Sequence, residues 1–207
     1  MNINPDLTAY IEQNIIPRYA FFDKAHRQDH ARAVIQRALE LSKFYDVNAD
    51  VVYAAAACHD LGLAVDRKTH HLASGRIIRA DSTLREFLGA EGLELAAQAA
   101  EDHRASASTE PRSIYGRIVA EADRQIDPIT VIRRTVQYGL EHYPGLDKEG
   151  SWDRTLEHLQ EKYGYGGYLK LWIPESPNAA RLEELRQIIG NVPELRKIFE
   201  IIWEEEK

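Results

Sequence analysis

Four residues spread over nearly a hundred positions, His30, the adjacent pair His59-Asp60, and Asp123, carry side chains able to do chemistry together. Imidazole nitrogens and carboxylate oxygens in that mixture suit a divalent metal of intermediate hardness. His30 lies four residues before Val34, His59 four after Ala55, and Asp123 four after Val119. That spacing puts each on the core-facing stripe of a predicted helix. A polar group carried into a core is costly unless it is hydrogen-bonded or bound to a metal. A lone histidine on such a face is ordinarily a hydrogen-bonded core residue. Four potential ligands on three faces, two of them adjacent, read instead as a metal site built in a helical core.

The segments that must position these groups have helical rather than alternating periodicity almost throughout. Asn4-Pro5 is a cap-like start followed by Leu7, Ile11 and Ile15, with Pro17 as the stop. A longer helix, starting near Asp23, carries His30, Val34, Ala38, Leu41 and Tyr45 down one side. Asn48 can cap the next, in which Val52, Ala55 and Ala56 precede His59-Asp60 and Gly62 suits the C-terminal stop. Further helices are expected over 70–80, 82–88, 91–103, 112–126 and 129–142. The stretch 144–150, rich in Pro, Gly and charge, is the best candidate boundary. Beyond it Ser151 is expected to cap a helix to Tyr163, and two closing helices are expected over 178–189 and 193–204. No internal repeat and no convincing strand is found. The fold class predicted is all-α, an irregular bundle. It would form a single domain over 1–207, with a metal-binding core at 20–142 and a C-terminal helical extension at 143–207.

Composition narrows the partners. Hydrophobic residues make up 44% and charged residues 29% of 207 residues, the ordinary mixture of a globular protein with one well-buried core. The net charge of −7 disfavours duplex nucleic acid, which is bound through many Lys and Arg contacts to phosphates. It leaves room for a small phosphorylated substrate held by a metal and a few local cations. No apolar run approaches a membrane span, and the N-terminus lacks the pattern of a secretion signal. The single cysteine, Cys58, fits a reducing compartment, so a cytoplasmic location is expected. Beside the doublet Cys58 could pass for a nucleophile, but in an alanine run it reads as core packing.

The order of these residues resembles the HD superfamily of metal-dependent phosphohydrolases: a His, then a His-Asp doublet, then a distant Asp. Here those positions are His30 in HRQDHARAV, His59-Asp60 in AAAACHDLG and Asp123 in VAEADRQID. The resemblance implies an HD-type helical bundle over roughly 20–142, and His30, His59, Asp60 and Asp123 as ligands of a divalent ion (Mn, Fe, Co, Ni or Mg). Members with two metals use two extra histidines between the doublet and the last Asp. His71 in THHLASG, or its neighbour His70, and His103 in EDHRAS are the positions able to serve. Members with one metal use nearby His, Lys and Arg to hold phosphate; Lys68, His71, His103 and Arg104 are the candidates, with Arg67 flanking them. One ion is favoured over two at this stage.

The implied activity is hydrolysis of a phosphate ester by metal-activated water. Asp60 would help deprotonate that water, and His103 and Arg104 would neutralise the phosphoryl oxygens. Glu101, Asp102 and Glu121 are candidates to orient ligand imidazoles. The chain departs from the superfamily's nucleotidases, which often carry a glutamate where Leu63 stands, and from its alarmone hydrolases, which carry Glu-Asp where Leu63-Ala64 stands. It also lacks the lysine and the Gly-Tyr-Pro element of the cyclic dinucleotide phosphodiesterases. Two rivals remain: a diiron oxygenase of the same superfamily, for which six ligands would suffice, and a non-catalytic nucleotide- or ion-binding module. The run Tyr163-Gly-Tyr-Gly-Gly-Tyr168 reads as a turn with packed aromatics, or as a lid. His142 and His158 are expected to face solvent, and 203–207 to be a frayed helix end.

Overall fold

The structure, a computed structural model, describes residues 2–22, 27–106 and 109–207. Among the described residues there are ten α-helices and no strand. They divide into two compact units, one of Met1–Arg124 with Trp172–Ser176, the other of Gln125–Leu171 with Pro177–Lys207.

In the first unit, α1 (Pro5–Tyr10) starts as the cap pattern predicts, with the Asn4 side chain accepting from the amides of Asp6 and Leu7. It does not stop at Pro17: it widens into a π turn (Ile11–Ile15) and tightens into a 3-10 segment (Ile16–Phe21) that carries Pro17 near its start, where a missing N–H is harmless. Next comes α2 (Gln28–Ser42); the expected start near Asp23 lies outside the described residues. Helix α3 (Ala49–Cys58) is capped by Asn48 as expected, but it ends at the doublet rather than at Gly62. Gly62 belongs to a 3-10 turn, Leu61–Ala64, pressed against α4 (His70–Ala80) so closely that a Cβ there would lie 2.0 Å from the His70 carbonyl oxygen. Only glycine permits that approach. The two helices expected over 82–88 and 91–103 are the arms of α5 (Ser82–Asp102), bent at Gly89, whose φ of 69° suits a residue without Cβ. Helix α6 (Ile114–Asp123) closes the set.

Helices α2 and α3, α3 and α5, α4 and α5, and α5 and α6 pack in pairs. Their contacts are made largely of small residues: Ala54 to Ala57 on α3 and Ala96, Ala97, Ala99 and Ala100 on α5 are all fully buried. Small side chains let backbones approach, which is what brings end-of-helix side chains from several helices within reach of one another. The segment 172–176 covers the unit: Ile173 is in its core and the Trp172 amide donates to the buried Glu121 at 2.7 Å.

The second unit contains α7 (Pro128–His142), α8 (Lys148–Tyr163), α9 (Asn178–Gly190) and α10 (Val192–Glu206). Helix α8 begins one turn earlier than expected because Asp147, not Ser151, caps it; Ser151 is buried inside the helix. The Tyr/Gly run folds back on the end of α8, the Tyr168 amide donating to the Glu161 carbonyl, while the Tyr165 hydroxyl donates to Glu183 on α9. Two expectations fail here. Trp203 is buried against Phe199 rather than frayed, since α10 lays an apolar face on the unit's core. His158 is half-buried, and that burial lowers its pKa, whereas His142 is exposed and stacked on Tyr138.

Candidate metal centre

Helix ends build the centre. His59 is the residue that ends α3 and His103 the one that ends α5. The last carbonyls of a helix lack amide partners. Each imidazole folds back on its own helix end, Nδ1 of His59 donating to the Ala56 carbonyl at 2.8 Å and Nδ1 of His103 to the Ala100 carbonyl at 2.6 Å. His70, at the start of α4, donates in the same way from Nδ1 to the Arg67 carbonyl at 2.8 Å. A carbonyl can only accept, so Nδ1 carries the proton in all three rings and Nε2 is a bare lone pair in the neutral form.

Those lone pairs meet two carboxylates. Asp60 Oδ2 lies 3.2 Å from His59 Nε2 and 3.7 Å from His30 Nε2. Its other oxygen, Oδ1, lies 3.4 Å from both His70 Nε2 and His103 Nε2, which are themselves 3.2 Å apart. Asp123 Oδ1 stands 3.2 Å from His30 Nε2 and 3.7 Å from His59 Nε2. The donors form three overlapping groups, each with ligand atoms within 4.8 Å of one another: His30, His59 and Asp60; His59, His103 and Asp123; and Asp60, His70 and His103.

Such an arrangement could hold a cation. His59 Nε2 is fully buried with no hydrogen bond of acceptable geometry, and two unprotonated imidazole nitrogens 3.2 Å apart repel unless a proton or a metal ion lies between them. The donor set, nitrogen-rich with two carboxylates, fits divalent transition metals. Charge tells the same story. Burial alone would lower the His59 pKa, yet Asp60 and Asp123 raise it to about 9. Burial would raise both carboxyls, but His59 and His103 beside Asp60, and His30 and His59 beside Asp123, hold them below the usual carboxylate range. His70 is pushed the other way, down, by burial and by His103, which keeps its ring neutral.

Of the residues singled out in the sequence, His30, His59, Asp60, His103 and Asp123 come together, and the histidine that joins them from THHLASG is His70. His71 stands one residue round α4, its ring 5.6 Å from that of His70, and is not among the converging donors. Lys68 is exposed, and its carbonyl accepts from Arg104 Nη1 at 2.8 Å, a bond that ties the loop before α4 to the end of α5. Glu101 and Asp102 do not orient ligand imidazoles: in His59, His70 and His103 every Nδ1 is already held by a carbonyl, and the two acids pair with Arg79 and Arg112. Cys58 is buried and its thiol is pushed up to about 12 by that burial, the state of a packing residue.

Sequence reasoning passed over Tyr19. It is fully buried beneath the doublet, its hydroxyl donating to the Ala57 carbonyl at 2.9 Å and accepting from the Asp60 amide at 3.4 Å. Ser74 on α4 supports the turn after the doublet, its hydroxyl accepting from the Gly62 amide at 2.9 Å. Arg37 on α2 likewise escaped notice, although its Nε donates to the Ala122 carbonyl at 2.6 Å, beside Asp123. Tyr19 and Arg37 stand in no motif; a polar side chain amid apolar helix positions was the one available signal.

The HD domain family model matches residues 27–125, a span that contains all six converging donors. No curated protein and no solved structure matches the chain significantly. Motif order, all-helical architecture and the convergence of the motif residues agree with that match: residues 27–125 of this chain form an HD domain.

Proposed function

We propose that the chain is a metal-dependent phosphohydrolase acting on a small phosphorylated substrate, and that it holds two divalent ions rather than one. One observation carries the reading. The two oxygens of Asp60 face separate sets of imidazole nitrogens, so a single carboxylate is shared between two groups of donors. His30, His59, Asp60 and Asp123 would hold one ion, and Asp60, His70 and His103 the other. That choice replaces the single ion favoured from sequence, and turns His103 from a phosphate contact into a ligand.

When bound, the ions supply Lewis acidity toward water and toward a phosphoryl oxygen. The chain's own groups do the rest. Asp60, ionised by its histidine neighbours, can accept a hydrogen bond from the attacking water. Arg104, fastened through Lys68, brings a planar cation to the rim, where it can pair with phosphoryl oxygens. His71, next to the centre and with its pKa lowered chiefly by burial, offers a neutral hydrogen-bonding ring there.

Elemental analysis of the purified protein, followed by a phosphatase and phosphodiesterase panel with Mn, Co, Ni, Mg and Fe, tests the reading. Two equivalents of metal, phosphate release, and a drop toward one equivalent in His70→Ala are expected. Metal content unchanged in both His59→Ala and Asp60→Ala would overturn the site. The same six donors also suit two irons, as in the oxygenases of this superfamily. Oxygen uptake by iron-loaded protein with no phosphate release would favour that second reading.

A further inference from the structure

Leu63 stands where the nucleotidases and alarmone hydrolases of the resembled superfamily carry an acidic residue, and its surroundings give a leucine there a use. It lines a cavity of about 440 Å³ with Phe21, Phe22, Ala64 and Arg67, the scale of a small-molecule site. Four of the five lining side chains are apolar and the fifth is the cation Arg67, and Phe21 is 90% exposed, so a ring that would ordinarily be buried is presented to solvent at the edge of a cavity.

Three of the five lining residues, Leu63, Phe22 and Arg67, are tied to the donor cluster. The Leu63 amide donates to the Asp60 carbonyl at 2.9 Å. Phe22 packs edge-on against Tyr19, centroids 5.1 Å apart, and the Tyr19 hydroxyl accepts from the Asp60 amide. The Arg67 carbonyl is the acceptor that holds His70 in its tautomer. The cavity is therefore built from the residues that position Asp60 and His70, and a group seated in it is attached to the same framework as the ligands.

We propose that this cavity is the specificity pocket for the organic part of the substrate, and that it takes a flat aromatic or heteroaromatic group joined to the phosphoryl group. The inference rests on the phosphohydrolase reading above. Two phenylalanine rings and a leucine match the faces of a planar ring rather than a polyol, whose hydroxyls would find no partners on those side chains. The guanidinium of Arg67 suits the face of an aromatic ring and the negative charge of its ester. An acidic side chain at position 63 would repel that ester; leucine does not.

The test uses the full chain loaded with manganese and two non-hydrolysable probes, phenylphosphonate and methylphosphonate, titrated by calorimetry. They share a phosphoryl group and differ in the organic part. Phenylphosphonate is expected to bind about tenfold more tightly, the effect of partly burying one ring. Phe21→Ala, at a side chain too exposed to threaten folding, is expected to bring the ratio toward one, and Leu63→Glu to do the same. Equal binding of both probes by the unaltered protein would overturn the pocket and leave the phosphohydrolase reading standing. A tenfold preference untouched by Phe21→Ala would overturn its assignment to this cavity. No binding of either probe would overturn both.

Discussion

The two compact units place their polar groups in opposite ways. In the unit of Met1–Arg124 with Trp172–Ser176, alanine-faced helices bury His59, Asp60, His103 and Glu121. In the unit of Gln125–Leu171 with Pro177–Lys207, the core is large and apolar, with Trp152, Leu159, Leu185, Phe199 and Trp203 buried together. Its buried hydroxyls are consumed locally, Thr135 donating to Val131 and Thr155 to Ser151 one turn back. Its charges pair at the surface, Arg133 with Glu205 and Glu206 and Arg196 with Glu149 and Glu200. Small side chains bring helix ends together and leave donors facing one another; large ones fill the space and leave no room for chemistry. The first unit concentrates donors that could hold a metal ion, and every such group found among the described residues lies in it.

That contrast can be broken by experiment. The largest effect is expected from Asp60→Ala, the residue shared by both groups of donors: metal lost by elemental analysis and phosphatase activity down on the order of a thousandfold. Phe199→Ala in the second unit is expected to cost about 3–5 kcal/mol in denaturant unfolding while the folded protein keeps its metal. Metal loss in that variant would mean that the two roles are not separable. Tyr19→Phe, which removes the hydroxyl between Ala57 and Asp60, is expected to weaken metal binding about tenfold without unfolding the chain, as measured by competition with a chelator.

Acidity should separate the metal-free and metal-bound states. In metal-free protein the folded pKa of His59 is raised from 6.5 to about 9, so it contributes stability that is full below pH 6.5 and lost as pH rises through 9. Metal binding requires the neutral ring and strengthens over the same window. Thermal midpoints with and without manganese should therefore diverge as pH rises from 6.5 to 9; parallel curves would count against His59 as a ligand. The smallest effect is expected from Arg133→Ala, whose exposed pairs with Glu205 and Glu206 should leave the thermal midpoint nearly unmoved.

Much of this was legible in the chain. Periodicity and caps located Asn4, Asn48 and the helices that carry His30, His59 and Asp123, because those signals are local: a side chain four residues from an apolar neighbour, or a cap oxygen two residues from an amide. One error was local: Ser151 looked like a cap, and Asp147, four residues earlier, is the one used. Another came from a non-local fact. Trp203 looked like part of a charged tail because the apolar surface that buries it lies elsewhere in the chain.

By itself, the sequence determined the all-helical class, the HD-type order of ligands and the identity of His30, His59, Asp60 and Asp123 as one chemical set. Only the tertiary structure decided between His70 and His71, since adjacent residues on a helix point about 100° apart and spacing alone cannot say which one faces the centre. It also decided that Asp60 serves two sides, that Tyr19 lies beneath the doublet, and that Leu63 lines a cavity with Phe21, Phe22 and Arg67. Those are relations between groups brought together by packing, and packing depends on the whole set of small side chains that lets the helices meet.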